Sequence, residues 1–348
     1  MKQTIYTIQY LRGLAALLVV SQHAVFKYSQ YNPSNTIGYN LGGFGVDLFF
    51  VISGFVMCYS TQFSKMSPAK FFSHRIIRIF PLYITLTLLA FAIYLVKPEL
   101  VNSSGGKTDL LASFTLLPTK DKLLVQNGWT LSYEFFFYII FSISIFISYK
   151  LRGIISIVLL SSLCLLSFYK PQSEFIFNFI TSPLLFEFVL GIVIYLTYKH
   201  IKILQKTTAL ILIMLSIILI AIQSNTGIFE TVFDRALYAG LPMAMLLLGF
   251  ILLENELRLA PTSLKSSLYF LGDISYSLYL SHAFVLSPAS MILSRITTNS
   301  FFFITSIVCI ALVAGTACYL LLEKPLTRYF KGLISTNTST IKTTSQER

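Results

Sequence analysis

The chain has 348 residues, 55% of them hydrophobic and only 11% charged, with a mean hydropathy of +0.75. Average soluble domains carry roughly 25% charged residues, so this composition excludes a soluble domain or a single-anchor protein and requires a polytopic membrane protein. The net charge of +12 needs no nucleic acid to explain it, because its distribution encodes orientation.

Ten apolar runs near the ~20 residues needed to cross a bilayer follow one another. They cover residues 10–28, 42–60, 79–97, 128–149, 153–169, 176–198, 208–223, 235–253, 269–290 and 301–322. No basic segment with a small-residue cleavage site opens the chain, so the first run is expected to be retained as structure. With the N-terminus inside, 17 Lys and Arg residues fall on the inner side and 8 on the outer, with Arg12 left inside its span. That bias obeys the positive-inside rule and places both termini in the cytoplasm. The expected architecture is therefore an all-α integral membrane bundle of about ten transmembrane helices. One domain covers residues 1–334, and the Ser/Thr-rich segment 335–348 reads as a disordered cytoplasmic tail. Residues 98–127 form a polar extracytoplasmic loop.

The first span carries Arg12 and, eleven positions on, His23. Eleven steps of ~100° bring both side chains to one helix face, ~16 Å apart along the axis. Ionisable groups in hydrocarbon are costly and face the bundle interior or a polar path. The second span opens with Asp47, the fourth with Trp129, Tyr133 and Glu134, and the ninth contains His282. Counting ~1.5 Å per residue, His23, Asp47, Glu134 and His282 all fall ~8–12 Å below the outer edge of the core. Two imidazoles and two carboxylates from four spans thus share one stratum, which either holds helices together or lines a common cavity. At that depth Asp47 is the first choice to orient the His23 imidazole. Trp129 and Tyr133 fit an interfacial aromatic belt and a sugar-facing platform equally well. Glu187 and Asp273 are further buried acids without an assigned role.

On the inner side, Arg75 and Arg78 precede the third span, three apart and hence neighbours on a helical face. With Arg12 they make a guanidinium cluster able to grip phosphates, or to anchor the inner interface in the ordinary way. Cys58, Cys164, Cys309 and Cys318 sit in or beside apolar runs and read as small hydrophobes. No His/Cys spacing suggests a metal site.

Several of these blocks together resemble the acyltransferase type 3 family of integral membrane acyltransferases. They are Tyr10 through Ala16 with His23, Phe44 through Phe55, Arg75 through Tyr83, Trp129 through Glu134, Gly272 through His282, and Glu323-Lys324-Pro325. The likeness runs from about residue 8 to 330. It implies a ten-helix core that moves an acyl group from cytoplasmic acyl-CoA, with acetyl-CoA the usual donor and no permanently bound cofactor, to an acceptor across the membrane. The acceptor would be a glycan or lipid-linked saccharide, and the setting a bacterial inner membrane. His23 would be the essential histidine, acting as general base or through an acyl-histidine. Arg12, Arg75 and Arg78 would contact the CoA. Asp47 and Glu134 join the catalytic set, and Trp129, Tyr133 and His282 the acceptor side. The chain leaves no room for the additional hydrolase-like domain some members carry, and no metal or nucleic acid is expected. A glycan exporter with a buried proton relay is the alternative, but it lacks the paired repeats and broken helices common in transporters.

Overall fold

The structure, a computed structural model, describes residues 5–34, 37–38, 41–101, 105–169, 174–198, 206–226, 232–259 and 261–333. The tail from 335 onward lies outside the described residues. Ten long helices among the described residues build the bundle. They are α1 (Tyr6–Tyr31), α2 (Gly42–Thr61), α3 (Pro68–Val96), α4 (Gly128–Ile147), α5 (Arg152–Leu166), α6 (Leu185–Tyr198), α7 (Lys206–Thr226), α8 (Gly240–Leu252), α9 (Thr262–Leu293) and α10 (Ser300–Cys318). Among the described residues the nearest thing to a strand is an isolated bridge between Thr108 and Lys122. The chain is an all-helical membrane bundle.

Nine of the described helical segments are long and apolar enough to cross a membrane. The exception is α1. It is 26 residues long, ~39 Å at 1.5 Å per residue, but Gln9, Arg12, Gln22 and His23 dilute its hydropathy. Its polar groups are tolerable because α2, α9 and α10 pack around it.

The sequence boundaries shift where local chemistry overrides the apolar period. Ser67 caps α3, its hydroxyl accepting from the Lys70 amide at 3.3 Å, and Pro68 occupies the first turn. This early start places Arg75 and Arg78 on the helix instead of ahead of it. The sixth run breaks into Phe175–Ile180 and α6 at the Pro183 turn, and the eighth into Val232–Tyr238 and α8 at Ala239.

Close helix crossings set the positions of the polar groups. A Cβ on Gly191 of α6 would lie 2.0 Å from the Val51 carbonyl of α2, and one on Gly54 of α2 would lie 2.1 Å from the Phe188 carbonyl of α6. A Cβ on Gly272 of α9 would lie 2.2 Å from the Gln9 carbonyl of α1. Small residues let backbones touch in a membrane, where van der Waals packing replaces the hydrophobic drive between helices. Here they clamp the Arg12 end of α1 against α9. The start of α1 is further held by Glu254, whose carboxylate accepts from the amides of Tyr6 and Thr7, each at 2.9 Å.

Residues 105–127, the described stretch leading into α4, are tied together by hydrogen bonds. Asp109 caps the short helix Leu110–Thr115 through the Ala112 amide at 2.9 Å and accepts from the Thr119 hydroxyl at 2.9 Å. The Tyr83 hydroxyl of α3 donates to the Ser113 carbonyl at 2.7 Å. The loop is thereby fastened to the bundle.

Candidate active site

A cavity of about 370 Å³ opens between α1, α2, α3, α4 and α9. Arg12, Arg75, Arg78 and Glu134 all line it, so four of the site residues expected from the sequence converge on one chamber. The guanidiniums are not equivalent. Arg78 is ion-paired with Glu323, whose other oxygen accepts from the Ser277 hydroxyl at 2.6 Å. Glu323 is 2% exposed and ends a π-helical turn, Tyr319–Glu323, that continues α10. Among the described residues Arg12 donates to Gln9, at 3.2 Å. Arg75 lies over the Phe71 ring at 5.6 Å, and its Nε is buried without a hydrogen-bond partner among the described residues. Two of the three guanidiniums therefore face the chamber without a carboxylate bound to them, as an anion site requires. Glu134 accepts from Ser53 at 2.9 Å and from Tyr138, so it is held in place.

The far end of the chamber is marked by hydroxyls and aromatic rings. The Tyr279 and Thr130 hydroxyls are hydrogen-bonded at 2.9 Å, and both reach the Asn127 carbonyl, at 3.5 and 3.0 Å. Phe49 packs edge-on to Tyr279 with ring centroids 5.8 Å apart. Behind Tyr279 stands His282, and against His282 stands His23, their ring centroids 5.0 Å apart.

Each imidazole Nδ1 lies 3.0 Å from the carbonyl one turn back on its own helix, Val19 for His23 and Leu278 for His282. A carbonyl only accepts, so each Nδ1 carries the proton and each Nε2 the lone pair. The Asn127 amide donates to the Tyr279 carbonyl at 2.8 Å and lies 3.5 Å from the Nε2 of His282. His282 is 1% exposed, enclosed behind its neighbour, whereas His23 is exposed. Of the two rings, His23 is the more accessible.

Asp47 does not partner His23. Its Oδ1 takes both the Nη2 and the Nε of Arg235, at 2.9 and 3.1 Å. Glu187 of α6 lies beside Asp47, and neither Glu187 oxygen meets a donor among the described residues. The second Asp47 oxygen, Oδ2, is likewise buried without a hydrogen-bond partner among the described residues. The rotation of α2 points Asp47 toward α6 and the Val232–Tyr238 segment. The backbone of α1, not a carboxylate, orients His23.

Trp129 and Tyr133 line a second chamber of about 350 Å³, bounded by the loop before α4 and by the Phe175–Ile180 helix. Tyr133 stacks on Phe179 with centroids 4.3 Å apart. Arg235 and Glu323 are the two functional side chains that sequence reasoning left without a role. Each is charged and next to an apolar run, but only helix rotation reveals its partner. Among the described residues no three His, Cys, Asp or Glu side chains converge as metal ligands do. The cysteines are all free.

The bundle thus carries a cationic chamber at Arg12 and an exposed imidazole, His23, farther along the same helix. Residues 5–322 match the family model described as an acyltransferase domain, and the chain belongs to that family, the type 3 acyltransferases. It is 29% identical over 299 residues to the exopolysaccharide production protein ExoZ of Rhizobium meliloti (strain 1021), covering 83% of this chain and 91% of that protein. It is 26% identical over 356 residues to the acyltransferase MdmB of Streptomyces mycarofaciens, covering 91% and 90%. No solved structure matches.

Proposed function

We propose that the protein transfers an acyl group, acetyl in the simplest case, from acyl-CoA to a hydroxyl of an extracytoplasmic or lipid-linked polysaccharide. The orientation rests on the excess of basic residues at the arginine end, which faces the cytoplasm of a bacterial inner membrane. The carrying observation is that Arg12 and His23 lie on one helix, the first in the cationic chamber and the second open beyond its far end.

Coenzyme A is polyanionic and stays near the membrane surface, where Arg12 and Arg75 take its phosphates. Arg78 is already committed to Glu323 and supports the wall through that pair. The thin pantetheine arm runs up the chamber between α2 and α4 and brings the thioester to Tyr279 and Thr130. Opening of the Thr130–Tyr279 hydrogen bond lets the carbonyl reach His23. The acceptor hydroxyl oxygen bonds to the carbonyl carbon while His23 Nε2 takes its proton and the carbonyl π pair moves onto oxygen. The oxyanion then reforms the carbonyl, the C–S bond breaks, and the imidazolium returns its proton to the departing CoA thiolate. The products are the acyl ester and free CoA. The Tyr279 hydroxyl is the nearest donor for the oxyanion, while Glu134, Asp47 and His282 act by holding the walls and the His23 ring.

The test is transfer of label from acetyl-CoA to lumenal glycan in sealed inside-out vesicles made from cells that produce the polysaccharide. His23→Ala is expected to abolish transfer at an unchanged protein level. Full transfer by that variant refutes the mechanism.

A further inference from the structure

The segment Gln126–Glu134 divides two chambers. Thr130, Leu131 and Glu134 face the arginine-lined one, while Gln126, Trp129, Ser132 and Tyr133 face the second. The residue between Gln126 and Gly128 is Asn127, which lies against His282 and through it His23. The second chamber thus lies across this segment from the arginine-lined one, and Asn127, next in sequence to its lining residue Gln126, reaches His282.

Its walls are chemically mixed. Trp129 is 39% exposed and stands edge-on to Tyr133, with centroids 6.1 Å apart. Tyr133 is fixed by its stack on Phe179. Across from these rings the loop contributes Thr119, Asp121 and Gln126. That wall is preorganised. The Asp121 amide donates to the Thr119 hydroxyl oxygen at 3.2 Å, and Thr119 is tied to Asp109. The Asp109 amide donates to the Lys122 carbonyl at 2.9 Å. Lys122 also lines the chamber, and its ammonium donates to the Gly105 carbonyl. The Asp121 backbone is held by that network, while its carboxylate lies 4.0 Å from the exposed Lys107 ammonium. An aromatic ring with a carboxylate and an amide side chain in the same chamber suits a molecule with apolar C–H faces and a rim of hydroxyls. A lipid chain has no use for Asp121 or Gln126, and an interfacial belt tryptophan would not need a polar wall facing it.

We propose that this chamber is the acceptor subsite, and that it binds one saccharide unit of the polysaccharide with its ring against Trp129 and its hydroxyls on Asp121 and Gln126. This rests on the acyltransferase reading above and adds where the acceptor is held. A volume of about 350 Å³ is at the lower end of ordinary ligand sites, which run roughly 300–1,000 Å³. It fits a local unit of a chain that continues outside the protein.

Trp129 is the only tryptophan of the 348 residues, so its fluorescence reports this chamber alone. The full-length protein in scaffold-free mixed lipid–detergent micelles is titrated with oligosaccharides cut from the host's surface polysaccharide after alkaline removal of its O-acyl groups. The expected result is a saturable emission shift and protection of Trp129 from acrylamide quenching. Asp121→Asn and Gln126→Ala should each weaken binding about tenfold, as the loss of one or two hydrogen bonds would. His23→Ala should bind as the wild type does while losing transfer. Absence of any saturable change at millimolar saccharide, in a preparation that still transfers acyl groups, overturns the subsite and leaves the acyltransferase reading intact. Quenching of Trp129 by brominated lipid chains, indifferent to saccharide, also overturns it. Saccharide binding in a preparation without transfer supports the subsite and counts against the proposed reaction.

Discussion

Removing the Asp47 carboxylate separates two accounts of that residue. If Asp47 is a staple, its work is done by the ion pair with Arg235, in which two guanidinium nitrogens reach one oxygen at 2.9 and 3.1 Å. Breaking a buried pair by removing one partner costs about 3–5 kcal/mol. The Arg235 side chain is 28% exposed against 1% for Asp47, so water recovers part of the loss and about 2–3 kcal/mol is expected. Asp47→Asn and Arg235→Gln should each lower the unfolding temperature by several degrees in detergent and reduce transfer in parallel. The double variant should cost about as much as either single one, a coupling of about 1.5 kcal/mol or more. Asp47→Asn that melts like the wild type but transfers nothing, beside an unaffected Arg235→Gln, would refute the staple and put Asp47 at the reacting atoms.

Arg75→Ala should raise KM for acyl-CoA about 10- to 100-fold with kcat little changed, the loss of one charge-assisted contact, and unchanged initial-rate dependence on acyl-CoA would contradict it. Arg78→Ala should in addition destabilise the fold, because it strands the buried Glu323, and this can be read in thermal unfolding. Gly191→Ala should cost about 1–3 kcal/mol, since its Cβ would meet a backbone carbonyl that cannot swing away, and wild-type melting would disprove the close crossing. Asp109 has its pKa held below the ordinary carboxylate value by the Ala112 amide and the Thr119 hydroxyl. Its contribution to loop stability is thus fully present above the unfolded value of 3.8 and is lost as pH falls through the lower folded value. Hydrogen exchange of residues 108–124 should be flat near neutrality and rise only in strong acid, whereas Asp109→Asn should loosen the loop at every pH.

The apolar runs and the arginine bias made the membrane bundle readable, because hydropathy and length alone decide which segments can cross. Relative level along a helix follows from a rise of ~1.5 Å per residue whatever its neighbours are, although Glu134, expected beside the histidines, lines the arginine chamber. The pairing of His23 with His282 at one level follows from that arithmetic. Rotation about each axis is set by packing, and here the reading of Asp47 failed. Its true partner, Arg235, lies 188 positions away on a segment whose break at Ala239 no apolar period announces. The π turn that aims Glu323 at Arg78 is equally invisible to a 3.6-residue period. Trp129 was left undecided between belt and platform because the opposing wall is a loop, and loop geometry comes from turn-by-turn hydrogen bonds.

The rigid clamp on α1 makes that helix a gauge. Arg12 and His23 cannot change their spacing, and Gly272 against Gln9 leaves the lower end of the helix no room to turn. Any donor held at the arginine end is therefore presented at one fixed reach, and a molecule with a shorter or longer arm falls out of register with the imidazole. Inserting one residue between the two would lengthen the gauge by ~1.5 Å and turn His23 by ~100° away from its neighbours.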